Sequence, residues 1–232
     1  MESRKIILGV AAVILIYLIY MYYFGNTTTA YLATIHDAKT PLLISAGKMP
    51  QGPSSDYTFS VWVYVNNWNY RLGEKKPILE RSGMNKMEFD TNLNNVIITL
   101  AVYPPENTGG EPIKHTCTLE NVPLQAWTNI IATLNGRSLD IYMDGKLVRT
   151  CVLPGVPYIV PGANLELTPG GGFYGYTGNL QYISKAVNPR QAWAIYKEGY
   201  GGNTNMFSDL FNKYRIKLAF MEDNREINSF EI

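Results

Sequence analysis

The stretch AWTNIIATLNGRSLDIYMDGKLVRTCVL, residues 126–153, decides the fold. It holds two tight-turn dipeptides, Asn135-Gly136 and Asp144-Gly145, each between runs of alternating apolar residues. Two-residue Asn-Gly and Asp-Gly loops favour type I′ geometry, in which both central residues take positive φ. The expectation is a meander of strands 127–134, 137–143 and 146–152. In it Leu134 opposes Arg137, Ala132 opposes Leu139, Ile130 opposes Ile141 and Met143 opposes Lys146. Side chains alternate with period two, so Ile130, Ala132, Leu134, Leu139, Ile141, Met143 and Val148 form a core face. Trp127, Asn129, Ile131, Asp140, Tyr142, Leu147, Arg149 and Cys151 fall on the other. That register sets Asp140 across from Arg149, an ion pair worth roughly a few tenths of a kcal/mol.

The same alternation recurs on both sides of the meander. YTFSVWVYV, residues 57–65, is apolar or aromatic on both faces, which predicts an interior strand covered on both sides. KPILERSG and MEFDTNLNNVIITLAVY read as further strands with a turn near Asn94-Asn95, and YPPENTGGEP reads as a loop. NLELTPGGGFYGYTGNLQYISKAV gives two more strands around a glycine loop. NPRQAWAIYKEG is the one helix expected after the strands, with Asn188 as cap, Pro189 in first position and Gly199 at the end. Residues 201–232 form a C-terminal extension with a short helical piece, MFSDLFNKY, and an alternating segment, RIKLAFME.

The 232 residues are 46% apolar with a net charge of +1, enough for one packed domain. No basic stripe points to nucleic acid. Residues 6–24, IILGVAAVILIYLIYMYYF, carry no charge and span about 28 Å as a helix, close to the hydrocarbon core of a bilayer. Arg4 and Lys5 precede the run and nothing basic follows until Lys39. The expectation is therefore a cytoplasmic stub (1–5) and a transmembrane helix from Ile6 to Phe24, with the rest of the chain on the far side. A polar stalk (25–56), ending in a first strand at LLISA, and a sandwich (57–200) would follow. The alternative for the apolar run is a cleaved signal peptide, although its length exceeds the usual hydrophobic region of one.

YTFSVWVYV, WTNIIATLNGRSLDIYMDGKLV and GFYGYTGNLQYISKAVNPRQAWAIY, taken in order, resemble the laminin-G-like branch of the concanavalin A-like lectin/glucanase superfamily. The resemblance implies an all-β, two-layer antiparallel jelly-roll sandwich with a short helix after the last core strands. FSVWVYVNNWNY, VPLQAW and GKLVRTCVLPG, with the N-terminal apolar run, are similar to membrane-anchored virion proteins of large double-stranded DNA viruses. That similarity implies a non-enzymatic minor capsid or inner-membrane virion protein linking membrane to shell. Its partners would be the lipid bilayer and capsid proteins. A membrane-tethered lectin is the alternative and a glycan hydrolase the third.

For hydrolysis, the superfamily's enzymes need two carboxyls on one strand face about 5–5.5 Å apart when configuration is retained. Glu88 and Asp90 share a face, but Asn92 follows where a third acid belongs, so no catalytic residue is assigned. His115 and Cys117 share a face as a thiol and base would, against the plainer reading of a strand pair. His36, His115, Cys117 and Cys151 lack metal-binding spacing, and no carboxylate cluster for calcium assembles, so neither metal nor cofactor is expected. Cys117 and Cys151 flank the meander. In an exported domain they suggest a disulfide closing about 35 residues and worth roughly 3–4 kcal/mol; the alternative is two buried thiols. Gly170–Gly175 matches a dinucleotide fingerprint by pattern only, because a strand rather than a helix follows. Trp68, Tyr70, Tyr174 and Tyr176 are candidate contacts for a glycan or a protein partner, against a plainer role in packing.

Overall fold

The computed structural model describes residues 12–19, 28–52, 55–104, 110–202, 217–222 and 225–231. Its strands are β1 (Thr29–Ala33), β2 (His36–Asp37), β3 (Leu42–Ile44), β4 (Tyr57–Asn67), β5 (Lys76–Arg81), β6 (Asn85–Phe89) and β7 (Val96–Val102). They continue as β8 (Ile113–Leu119), β9 (Thr128–Asn135), β10 (Ser138–Met143), β11 (Lys146–Val152), β12 (Leu165–Leu167) and β13 (Tyr174–Ile183). One helix, Pro189–Lys197, follows β13, and two last strands, β14 (Lys217–Glu222) and β15 (Arg225–Glu231), pair with each other. Two antiparallel sheets face one another. The first has seven strands in the order β1-β13-β4-β9-β10-β11, with β2 also on β13, and the second has six in the order β3-β12-β5-β6-β7-β8. The all-β two-layer sandwich expected above is the architecture found.

The core lies between the sheets and is built by strict alternation. β4 sends Phe59, Val61, Val63 and Val65 inward, and β7 sends Val96, Ile98, Leu100 and Val102 to meet them. The other face of β4 is covered too. Trp62 stacks on Tyr196 of the helix at 5.4 Å, beside a second cluster in which Ala192 and Ile195 meet Ile131, Tyr142, Ile183 and Val187. That double cover is why YTFSVWVYV is apolar on both sides. The helix starts as expected. The Asn188 side chain accepts from Gln191 N and the Gln191 side chain accepts from Asn188 N, a reciprocal capping box with Pro189 in first position.

The meander exists, but its register differs from the expected one in two instructive ways. Asn135 pairs with Ser138 and Leu134 with Leu139, so the two-residue loop is Gly136-Arg137 rather than Asn135-Gly136. Gly136 takes φ 56° and Arg137 stays out of the positive region, the pattern of a type II′ turn, which places glycine first. Moving a turn centre by one residue moves every partner by two, and an even shift keeps each side chain on its face. Leu134, Leu139 and Ile141 are therefore buried as expected. The second turn is the type I′ expected, with Asp144 at φ 50°, Gly145 at φ 72°, and Met143 opposite Lys146.

Beyond that turn a β-bulge intervenes. Tyr142 pairs with Leu147 and Ile141 with Arg149, leaving Val148 without a partner. An odd shift inverts the faces of everything after it. Val148, assigned above to the core, is 45% exposed. Asp140 lies opposite Thr150, whose hydroxyl donates to it at 2.7 Å. The expected Asp140–Arg149 pair does not form; Arg149 instead reaches Glu120, just past the end of β8, at 3.7 Å.

The segment 25–56, expected as a stalk with a first strand at LLISA, supplies three strands of the sandwich, and β3 is the strand expected at LLISA. β1 pairs with β13, β2 with β13 and β3 with β12, so the domain begins well before residue 57. Of the expected anchor, residues 12–19 are described and helical, and their side chains are exposed on every side. The remainder, including Ile6 and Phe24, lies outside the described residues. Among the described residues no helix is long and apolar enough to cross a membrane. The helical piece expected at MFSDLFNKY also lies outside them, while most of RIKLAFME forms the strand β14.

An aromatic and amide-lined cavity as the candidate functional site

β4 runs out at Asn67, and the chain then turns through Trp68, Asn69 and Tyr70. Asn67 stabilises that turn by accepting from Asn69 N at 2.9 Å, an Asx turn. Arg71, at φ 53°, reverses the chain and is held by Glu74 at 2.8 Å and the Gly170 carbonyl at 3.0 Å. From the other side Gln125, also at positive φ, donates its backbone N–H to Val65 O and its side-chain amide to Asn66 O. Together these loops border an open cavity of about 530 Å³ lined by Val65, Asn66, Asn67, Trp68, Asn69, Leu124, Gln125 and Tyr174.

The aromatic members divide into support and surface. Trp68 is half-buried and meets Phe89 edge to face at 5.7 Å, and Phe89 meets Phe173 in the same way. Lys76 Nζ lies 4.3 Å from the centre of the Trp68 ring. That lysine is fully buried. Burial, helped by Arg71, pushes its ammonium below the ordinary lysine range, while Glu74 and Asp90 pull the other way. Tyr70 and Tyr174 meet edge to face at 6.3 Å, both partly exposed, with Lys39 Nζ 4.7 Å above the Tyr174 ring. Tyr176 shares the strand face of Tyr174 but pairs with Asp37 and Tyr64, outside the cavity lining. Of the four aromatic residues singled out in the sequence, Trp68 and Tyr174 line the cavity, Tyr70 flanks it and Tyr176 stands apart.

The amides are what sequence reading missed. Asn66, Asn67, Asn69 and Gln125 surround the aromatic pair, and the side chains of Asn66 and Asn69 have no partner among the described residues. The signal was present as the run Asn66-Asn67-Trp68-Asn69 at a strand end. A planar ring beside several amides suits a pyranose, whose C–H face stacks on aromatics while its hydroxyls both donate and accept. The lining contains no carboxylate.

The acids examined for hydrolysis lie elsewhere. Glu88 sits on the outer face of the six-stranded sheet, beside a concavity of about 440 Å³. It is 2% exposed and clamped by Lys75 at 2.7 Å and Lys86 at 2.8 Å. Burial pushes its carboxyl up, but the two ammoniums outweigh it and hold the group below the ordinary glutamate range. Such a group stays ionised and is a poor proton donor. Asp90 has left the strand and caps a turn, accepting from Asn92 N at 3.0 Å. Glu80 shares Lys86 with Glu88, at 3.7 Å. Cys117 is bonded to Cys151 and is not available as a nucleophile; the disulfide joins the two sheets with Cα atoms 6.2 Å apart. The Gly170–Gly172 turn enters β13, as a strand loop should, and a side chain at Gly172 would strike Ala38 O and Pro77 O. Among the described residues no group of His, Cys, Asp and Glu is arranged to hold a metal.

A sandwich of this order, with its ligand-sized cavity at a loop end, defines a class of lectin-like and glucanase-like domains. Residues 35–184 match the family model described as the concanavalin A-like lectin/glucanases superfamily, and the chain belongs to it. No curated protein sequence matches the chain. Among solved structures it is similar to the receptor binding domain of botulinum neurotoxin D, at 10% identity and TM-score 0.56, over 74% of this chain and 45% of that one. It is also similar to the binding domain of botulinum neurotoxin DC in complex with SialylT, at 10% identity and TM-score 0.52, over 75% and 49% of the two chains. A third similar structure is the botulinum neurotoxin type G receptor binding domain, at 14% identity and TM-score 0.50, over 74% and 49%. The chain spans less than half the length of these domains, and at such identities the likeness is one of fold.

Proposed function

We propose that the chain is a non-enzymatic recognition module, held at a membrane by its apolar N-terminal run, that takes a carbohydrate-bearing partner in the Trp68–Tyr174 cavity. The observation that carries this reading is the composition of the cavity: two aromatic rings, four side-chain amides and no acid. Binding a sugar needs the first two, and cleaving one by the two-carboxylate route needs the third. Supporting it, one similar sandwich was solved in complex with SialylT. A glycan array probed with the detergent-solubilised chain tests it. Retention of a defined set of glycans that is lost in Tyr174→Ala supports the reading, and an array with no binder overturns it. Hydrolysis of a bound glycan that disappears in Glu88→Gln would replace it with an enzyme.

A second reading is favoured by the phrase-level similarity to membrane-anchored virion proteins and by the exposed apolar residues of the helix 12–19. In it the module links an internal membrane to a capsid shell, and its cavity and loops hold a protein. Capsid subunits that co-sediment with the detergent-extracted protein would favour this reading over the first.

A further inference from the structure

We propose that the exposed face of the helix Pro189–Lys197 rests on the anionic headgroups of a lipid bilayer, laying the sandwich down beside its own anchor. This inference rests on the membrane-anchor reading above.

The tether sets the distance. From Phe24, the last apolar residue of the N-terminal run, to Thr28 there are four residue steps, at most about 14 Å of extended chain. Thr28 is fixed to the sandwich, because its carbonyl accepts from Ser184 N at 2.8 Å. Ser184 in turn lies four residues before Asn188, the helix cap. Thr29 at the start of β1 lines one cavity with Gln191, Ala194 and Ile195 of the helix. An anchor ending at residue 24 therefore brings the bilayer surface to the side of the domain that carries this helix.

The helix presents what a headgroup layer binds. Its buried side is Ala192 and Ile195, and its exposed side is the stripe Arg190, Trp193, Ala194 and Lys197, at spacings of three, four and seven. Trp193 is 43% exposed; Tyr196 packs against its ring at 5.2 Å and Lys197 Nζ lies 5.6 Å from its centre. An indole flanked by cations is the combination that partitions to the interface of an anionic membrane. The helix itself contains no acidic residue. The nearby carboxylates are partly exposed and engaged by hydrogen bonds within the domain, Glu198 lining the same cavity as Thr29. Glu198 accepts from Gln181 Nε2 at 2.7 Å and from the Tyr31 hydroxyl at 3.2 Å, and Asp144 accepts from Asn129 N at 2.9 Å. Lys185, in the same cavity lining as Thr29, adds a third cation.

The test uses the full chain reconstituted in vesicles of phosphatidylcholine and phosphatidylserine, about three to one, that carry bromine-labelled acyl chains to quench nearby tryptophan. The other tryptophans give the background, since Trp62 is buried beneath the helix region and Trp68 and Trp127 sit in the aromatic packing of the sheet and cavity. The expected result is bromolipid quenching that Trp193→Phe largely removes. The double variant Arg190→Glu/Lys197→Glu, which alters only exposed side chains, should weaken the quenching, as should phosphatidylserine-free vesicles. Alkaline carbonate flotation is run on the same samples. A chain that floats with the vesicles, but whose quenching is the same with and without Trp193, overturns the docking and leaves the anchor standing. A chain that does not float overturns the anchor and the docking with it.

Discussion

Cys151 lies directly opposite Leu139, not opposite Ser138, because Val148 is the extra residue of a bulge. Leu139 faces the core, so its partner does too, and Cys151 meets Cys117 across the gap between the sheets. Arg149, on the same inverted face, meets Glu120. The disulfide between the edge strands β11 and β8, and the ion pair just past the end of β8, both depend on the register that this insertion sets. The bulge also protects an edge, since a kinked strand carrying Lys146 and Arg149 is a poor template for another chain.

Deleting Val148 should remove the bulge and leave Arg149 opposite Ile141 and Cys151 opposite Leu139, so that Cys151 still faces Cys117. The expected outcome is a folded chain that keeps its disulfide and, like the parent, has no thiol that reacts with a thiol reagent under denaturing, non-reducing conditions. The double variant Cys117→Ser/Cys151→Ser keeps the bulge and loses only the bond. Its urea unfolding should show a loss of about 3–4 kcal/mol. A deletion variant with two reactive thiols would show that the strand register alone does not bring the two sulfurs together.

The two turn glycines separate backbone strain from packing. Gly136 and Gly145 both sit at positive φ, but a Cβ on Gly136 meets nothing within 4 Å, while one on Gly145 would lie 2.9 Å from the Trp193 ring and 3.0 Å from Tyr196. Gly136→Ala should cost about 1–2 kcal/mol, the strain of a left-handed alanine. Gly145→Ala should cost about 1–3 kcal/mol more, because the helix must shift to make room. Equal midpoint shifts in thermal unfolding would show that the helix does not press on the hairpin.

Glu88 gives a pH signature. Its carboxyl is held below the ordinary glutamate range in the folded chain, so the unfolded chain binds the proton more tightly. The stability it contributes is complete above the unfolded pKa, about 4.3, and is lost as pH falls through the lower folded value. The magnitude should be about 1.5–3 kcal/mol, that of charge-assisted hydrogen bonds. Urea midpoints of the parent and Glu88→Gln, followed from pH 7 down to strongly acid conditions, should converge below that window. A gap between the two that stayed constant with pH would remove the ionised clamp.

The cavity residues should sort by burial. Tyr174→Ala and Asn69→Ala remove exposed groups and should abolish glycan retention while moving the unfolding midpoint by no more than about 0.5 kcal/mol. Trp68→Ala should cost about 3 kcal/mol as well, because it also empties the space against Phe89. Glycan retention unchanged in Tyr174→Ala would place binding outside this cavity.

The sequence by itself determined the strands of the meander and most of the others, the inward faces up to β10 and the capped helix, and it suggested the pair Cys117 and Cys151. Each of these follows from period-two alternation, turn chemistry or composition, which act over a few residues. It could not determine the bulge at Val148, since one unpaired residue looks like any other in an alternating run until the neighbouring strand fixes what it must face. The same holds for β1 and β2, whereas β3 lies in the LLISA run expected as a strand. β1 and β2 are short and partly polar, and only pairing with β13 makes strands of residues that read as a stalk. The cavity was half legible. Trp68 and Tyr174 stand out as aromatics, but they lie far apart in the chain. Only the crossing of β13 beside β4 brings them together around Asn66, Asn69 and Gln125. Long-range pairing decides which distant side chains meet, and no local preference encodes it.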